Sequence, residues 1–186
     1  MLKIVTVCGS LRAESYNAMV ARTLPLLAPE GMQIKASPPI EPIPHYNADV
    51  QARKIPDAAT ALGDAIRAAD GVIIVTPEYN YSVPGVLKNA IDWVSRLPDQ
   101  PFKSKAVALQ SASQGILGGA RAQYHLRQTL VFLEAFVFNR PEIMIAAAKG
   151  KFDETQGHLT DEVSRGLIKQ QLAAFASFIR QVTPAA

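Results

Sequence analysis

Residues Gly9-Ser10-Leu11-Arg12-Ala13-Glu14-Ser15-Tyr16-Asn17 carry donors suited to a phosphate. Ser10, Ser15 and Asn17 offer neutral hydrogen-bond donors, and Arg12 adds a fixed charge on a planar fork that matches phosphate oxygens. The stretch follows the apolar run Leu2–Cys8 and leads into a helical pattern. A strand therefore breaks at glycine and a helix begins, and the free amides and positive dipole end of that helix favour an anion. The same residues also suit a plain strand–turn–helix in which Ser15 or Asn17 only caps the helix.

Two further segments have unusual chemistry. Thr76-Pro77-Glu78-Tyr79-Asn80-Tyr81-Ser82-Val83-Pro84-Gly85 is a loop stiffened by two prolines and rich in Tyr and Asn. It can offer backbone amides and aromatic surface to a flat heterocycle, or it can be a well-packed connection. Ser111–Gly119 is small and glycine-rich, which permits a backbone to lie against a ligand and equally describes a flexible turn. Trp93, on one helical face with Asn89 and Ala90, reads as core or subunit contact. In an open parallel sheet, ligands bind beyond the carboxyl ends of the strands, where all three loops belong.

The missing motifs narrow the ligand. No G-x-G-x-x-G follows the first strand, no G-x-x-x-x-G-K-[ST] is present, and no G-x-S-x-G occurs. A dinucleotide Rossmann site, a P-loop NTPase and an α/β-hydrolase are therefore disfavoured. His45, His125 and His158 lie far apart without partners at ligand spacing, so no metal site is expected, and His125 reads as structural. The single cysteine, Cys8, sits in an apolar strand, where a buried inert thiol is the default. A phosphate and a flat ring with no conventional acid, base or nucleophile point to a redox cofactor that brings its own chemistry.

The elements that must hold these loops are legible as alternation. Apolar runs at 2–8, 32–36, 71–76, 106–110 and 142–147 read as strands. Segments at 15–27, 56–69, 84–96, 119–135 and 161–182 repeat apolar residues three or four apart and read as helices. Pro56 and Pro84 mark helix starts, and Thr160 precedes Asp161 and Glu162 as a cap with first-turn acids. Strand–helix alternation implies right-handed crossovers and a parallel sheet covered on both faces. Five strands and five helices fit one α/β domain over residues 1–186, a common domain size. The net charge of +3 is scattered, with no run of lysines or arginines, so no nucleic-acid partner is expected. No segment reaches the ~20 apolar residues of a membrane span, and no leader pattern opens the chain, so a cytoplasmic location is expected.

The first loop resembles the phosphate signature of the NAD(P)H-dependent FMN reductases, G-S-[LT]-R-x-x-S-x-N, at Gly9–Asn17. The second resembles their flavin-ring signature, P-E-Y-N-x-S-x-P-G-x-L-K-N-A-I-D-W, at Pro77–Trp93. Both match without a gap, the third loop and Gly118-Gly119-Ala120-Arg121 are also similar, and the branch resembled is that of the bacterial quinone and chromate reductases. The resemblance implies a three-layer flavodoxin-like fold with five parallel strands in the order 2-1-3-4-5. It implies that Ser10, Arg12, Ser15 and Asn17 hold the FMN phosphate, with Leu11 and Tyr16 lining that pocket. Glu78, Tyr79, Asn80 and Tyr81 would border the isoalloxazine, largely through backbone amides and ring packing, and Ser113 and Gly115 would touch it from the third loop. It further implies a homodimer or homotetramer, with Arg121, Tyr124 and Glu142 at an oligomer contact whose alternative reading is an exposed polar face. His45, Tyr46 and Asn47, in the segment 43–50, are candidates for the substrate mouth.

The activity implied is transfer of electrons from NAD(P)H through bound FMN to a quinone or another acceptor such as chromate, in a ping-pong hydride-transfer cycle. No side chain is expected to be catalytic in itself. A flavodoxin-like electron carrier without NAD(P)H oxidation is the alternative. Such carriers are usually strongly acidic, which the net charge of +3 disfavours.

Overall fold

The computed structural model describes residues 1–183. In chain order the elements are β1 (Leu2–Cys8), α1 (Tyr16–Leu27), β2 (Met32–Ala36), α2 (Ala48–Arg53), α3 (Asp57–Ala68), β3 (Gly71–Val75) and α4 (Gly85–Val94). There follow β4 (Ala106–Ala112), α5 (Ala120–Phe132), β5 (Phe136–Val137), β6 (Ile143–Ile145), β7 (Phe152–Asp153), β8 (His158–Leu159) and α6 (Glu162–Val182). The main sheet runs β2-β1-β3-β4-β5, with β6 paired further along β4. Every pairing in it is parallel. The doubly covered parallel sheet is the one the strand–helix alternation anticipated, and the order 2-1-3-4-5 is the one the resemblance implied.

Alternating side chains of β1 divide the core. Ile4 faces Met19, Val20 and Leu24 of α1 and Leu172, Phe175 and Ile179 of α6. Val5 and Val7 face the opposite layer, with Leu62 and Ile66 of α3, Leu87 and Trp93 of α4, and Leu126 and Leu130 of α5. Strands β3 and β4 are buried at every position, as double-sided cover requires. Trp93 is fully buried, so its role is core packing.

The register sets the site. Cys8 lies beside Val75, and Val75 lies beside Gln110. The carboxyl ends of β1, β3 and β4 are therefore nearly level, and their three loops leave the sheet side by side.

Three features depart from the sequence reading. The fifth strand is split: β5 pairs with Ala106 and Val107, and β6 pairs with Gln110 to Ala112. Helix α2 buries no residue, so it left no apolar period to read. The two-residue strands of the β7–β8 hairpin are likewise too short to show alternation.

Helix α6 closes one face. Its N-cap is Asp161, one residue after the expected Thr160, and it accepts hydrogen bonds from the Ser164 amide at 2.9 Å and the Ser164 hydroxyl at 2.6 Å. Midway along it the buried Gln171 donates to the Pro141 carbonyl at 2.8 Å and accepts from Gln110 Nε2 at 2.8 Å. Among the described residues no helix is long and apolar enough to cross a membrane.

Candidate functional site

The three loops meet in a hollow of about 180 Å³, with Arg12 and Ser15 from the first, Pro77 and Tyr79 from the second, and Ser113 and Gln114 from the third. Tyr16, Asn17, Glu78 and Ala112 complete its wall. It lies beyond the strand ends, where β1 and β3 send their connections to opposite faces of the sheet.

The first loop folds on itself. Its Ser15 amide donates to the Arg12 carbonyl at 3.1 Å, and the Arg12 amide to Ser10 Oγ at 3.4 Å. Ser15 is the N-cap of α1, and its hydroxyl accepts the Asn17 amide at 3.2 Å. That bond uses an oxygen lone pair and leaves the hydroxyl proton to donate. Capping and anion binding are thus compatible at Ser15. Asn17 is committed further: its side-chain nitrogen donates to the Ala112 carbonyl and its oxygen accepts the Ala112 amide, both at 2.9 Å. One hydrogen of that amide nitrogen remains for a ligand. The first turn of α1 has no acidic residue, so its positive end is uncompensated. Among the described residues Arg12 has no carboxylate partner, and it is exposed beside Tyr16, its guanidinium carbon 6.0 Å from the ring centre.

These features suit a phosphate: a free guanidinium, a hydroxyl proton and an uncompensated helix end on one wall. Leu11 is half exposed and, with Ser10, lines the neighbouring hollow rather than this one. Tyr16 packs at 4.9 Å against Phe152 of the β7–β8 hairpin and donates its hydroxyl to Glu154 at 3.4 Å. The hairpin's cover of this loop had no signal in the sequence.

The second loop makes a tight reversal. Tyr79 and Ser82 exchange both backbone bonds at 3.0 Å, with Asn80 and Tyr81 at its tip in left-handed conformations, φ 46° and 72°. The Glu78 side chain serves helix α5: Oε2 accepts the amides of Arg121 and Ala122 at 3.0 and 3.3 Å, and Oε1 pairs with Arg121 Nε at 2.7 Å. Ser82 Oγ lies 2.9 Å from His125 Nδ1, also on α5. His125, exposed on that helix, thus ties α5 to the second loop. Glu78 is accordingly a helix cap as well as a wall of the hollow, a role set by a partner 43 residues away.

The third loop is drawn tight by backbone contact. Ser113 donates its amide to the Ile145 carbonyl at 3.0 Å, and Gly115 accepts from Ala147 at 3.2 Å. Gly118 and Gly119 have φ 59° and 90°, and a Cβ on either would collide, with Met144 backbone at 2.7 Å and with Ser111 Cβ at 2.7 Å.

The remaining expected residues are placed as follows. Arg121 and Glu142 have partners within the chain, Glu78 and, at 3.5 Å, Arg127. Tyr124 is about half exposed on α5. The segment at 43–50 is clamped to α4: Asn89 and Trp93 both donate to the Pro44 carbonyl, at 2.9 and 2.8 Å. Tyr46 stands edge-on to Trp93 at 5.1 Å, and Asn47 caps α2. Cys8 lies in a separate hollow of about 250 Å³ with Thr6 and Ser10. Burial pushes its thiol above the usual range, which suits an inert sulfur. Among the described residues no three His, Cys, Asp or Glu side chains gather as a metal ligand set.

Residues 2–150 match the family described as NADPH-dependent FMN reductase. The chain is 55% identical over 182 residues to the quinone reductase of Escherichia coli (strain K12), covering 97% of each. It is 50% identical over 181 residues to the NAD(P)H-dependent FMN reductase PA1204 of Pseudomonas aeruginosa, again covering 97% of each. The solved structure of FerB, a flavoenzyme NAD(P)H:(acceptor) oxidoreductase from Paracoccus denitrificans, superposes with a TM-score of 0.87 at 32% identity, covering 97% of this chain and 98% of that one.

Proposed function

The chain belongs to the NADPH-dependent FMN reductase family, and we propose that it passes electrons from NAD(P)H through bound FMN to a quinone. The observation that carries this reading is the hollow itself. A cation, a hydroxyl donor and a helix N-terminus form one wall, and an aromatic loop on stiff prolines forms the other.

FMN, when bound, supplies the hydride chemistry. The residues present fit it. Arg12, the Ser15 hydroxyl and the open end of α1 hold the phosphate, with Ser10 and the remaining hydrogen of Asn17 as further donors. The backbone of 78–81, with Ser113 and Gly115, would border the flavin ring and keep water from one side of it. The Tyr79 and Ser113 amides are already bonded within the protein, so the fixed amides of Glu78, Asn80, Tyr81 and Gly115 would be the ones left to stabilise negative charge at the ring edge without having to reorient. Hydride transfer needs donor and acceptor within ~3–3.5 Å, so the slot would have to admit a flat partner beside the bound ring. With FMN bound, the same slot would serve NAD(P)H first and the quinone once the nicotinamide has left, a ping-pong order. Chromate is a second acceptor in this reading.

The exposed Tyr124, with Val131 and Phe132 further along α5, supports self-association through this helix as a dimer or tetramer. The absence of a membrane-length apolar helix among the described residues agrees with a cytoplasmic enzyme.

The test is optical and kinetic. Purified protein should show oxidised-flavin bands that NADPH or NADH bleaches, and a soluble quinone should restore them with turnover. A fully flavin-loaded sample without turnover overturns the reading in favour of an electron carrier.

A further inference from the structure

The tip of the second loop is chemically inconsistent with its own backbone. A two-residue reversal with both central residues left-handed is the geometry that favours Asn-Gly. Asn80 takes the first place, but the second, at φ 72°, is Tyr81. A bulky residue there is a strained exception, which surrounding structure must hold. Glycine would relieve the strain and remove the ring. The position therefore keeps an aromatic ring at a conformational cost.

What holds the ring is a relay from α5. The helix's first amides fix Glu78 Oε2, Glu78 Oε1 fixes Arg121 Nε at 2.7 Å, and the Arg121 guanidinium carbon stands 3.8 Å from the centre of the Tyr81 ring. That distance is well inside the range of a favourable cation–ring contact. Tyr81 nonetheless remains 64% exposed, so most of the ring faces open space. Pro77 and Pro84 stiffen both ends of the loop.

We propose that Arg121 is a positioning residue that locks Tyr81 as a flat wall for the electron acceptor, and that a planar quinoid ring packs against Tyr81 while it is reduced. This rests on the quinone reductase reading above. An aromatic plate held from behind by a cation, at the tip of the same tight reversal whose Tyr79 lines the hollow, presents a rigid face to a flat, electron-poor ring.

The test measures acceptor KM, kcat, the rate of flavin reduction by NADPH and FMN retention in Arg121→Ala, Arg121→Lys, Tyr81→Gly and the Arg121→Ala/Tyr81→Gly double variant. Arg121→Ala should raise the KM for a soluble quinone about tenfold, the scale of losing one well-placed cation–ring contact. At saturating NADPH, which offsets any weaker hold on the nicotinamide in the shared slot, it should change the flavin reduction rate by less than about threefold. Arg121→Lys should restore part of the loss, since a cation returns without the planar fork. Tyr81→Gly, which relieves the strained turn, should raise KM as much, and adding Arg121→Ala to it should do nothing more, because the two residues act as one unit. Additive effects in the double variant overturn the proposal. So does a KM unchanged in either single variant, or a parallel loss of reduction rate and FMN in Arg121→Ala. Wild type without quinone turnover instead overturns the underlying reductase reading, so the two failures are distinguishable.

Discussion

The side-chain amide of Asn17 and the backbone of Ala112 exchange two hydrogen bonds at 2.9 Å, tying the start of α1 to the end of β4. The pair mimics one rung of a sheet, and both residues are buried. It fixes the distance between the first and third loops before any ligand arrives.

Asn17→Ala therefore strands a buried amide and a buried carbonyl. The expected loss is about 2–4 kcal/mol, the usual scale for leaving buried polar groups unpaired. Urea unfolding at constant slope should report it. Asn17→Asp should also destabilise, because a carboxylate oxygen would then face the Ala112 carbonyl.

Arg12→Ala should leave the fold unchanged, since Arg12 is exposed and no carboxylate of the described residues pairs with it. Its effect falls on FMN. A charge-assisted bond is worth about 1.5–3 kcal/mol, or roughly 10- to 100-fold in Kd. Fluorescence titration of the flavin-free protein measures this, and an unchanged Kd removes Arg12 from the phosphate site.

Gly118→Ala places a Cβ 2.7 Å from the Met144 carbonyl carbon at φ 59°. Backbone strain and overpacking together predict a loss of about 2–5 kcal/mol. Gly166→Ala is the control: it lies within α6, where a Cβ meets nothing within 4 Å, and should stabilise by up to about 1 kcal/mol. Opposite shifts in Tm check both.

Asp161 gives an acid-side prediction. Its bond from the Ser164 hydroxyl, then that from the Ser164 amide, holds its carboxyl below the usual range. A depressed native pKa adds stability above the unfolded value, ~3.9, and loses it as pH falls through the native one. Removing the cap in Asp161→Ala should cost about 1 kcal/mol at neutral pH. The gap from wild type should stay constant above roughly pH 5 and narrow below pH 4. A gap that widens in acid contradicts the assignment.

The sheet was legible because apolar runs such as Val72-Ile73-Ile74-Val75 have only one use in a chain of this pattern, a strand covered on both sides. The three loops followed, because each begins where such a run stops. The relay from Glu78 through Arg121 to Tyr81 was not legible. It joins residues more than forty positions apart through geometry that no local spacing encodes. Arg121 suggested an oligomer contact by resemblance, and its partner within the chain appears only once α5 is packed beside the second loop. The split of the fifth strand was hidden for a different reason: Phe136–Val137 is too short to alternate.

The Gln110–Gln171–Pro141 contacts have a consequence for α6. A long amphipathic helix lying on an apolar sheet could slide by a turn and still cover it, because hydrophobic contact is non-directional. Gln171 forbids this. Moved by one turn, about 5.4 Å, its amide would face hydrocarbon and leave Gln110 and the Pro141 carbonyl without their bonds. One polar side chain thus acts as a dowel, giving the closing helix a single seat.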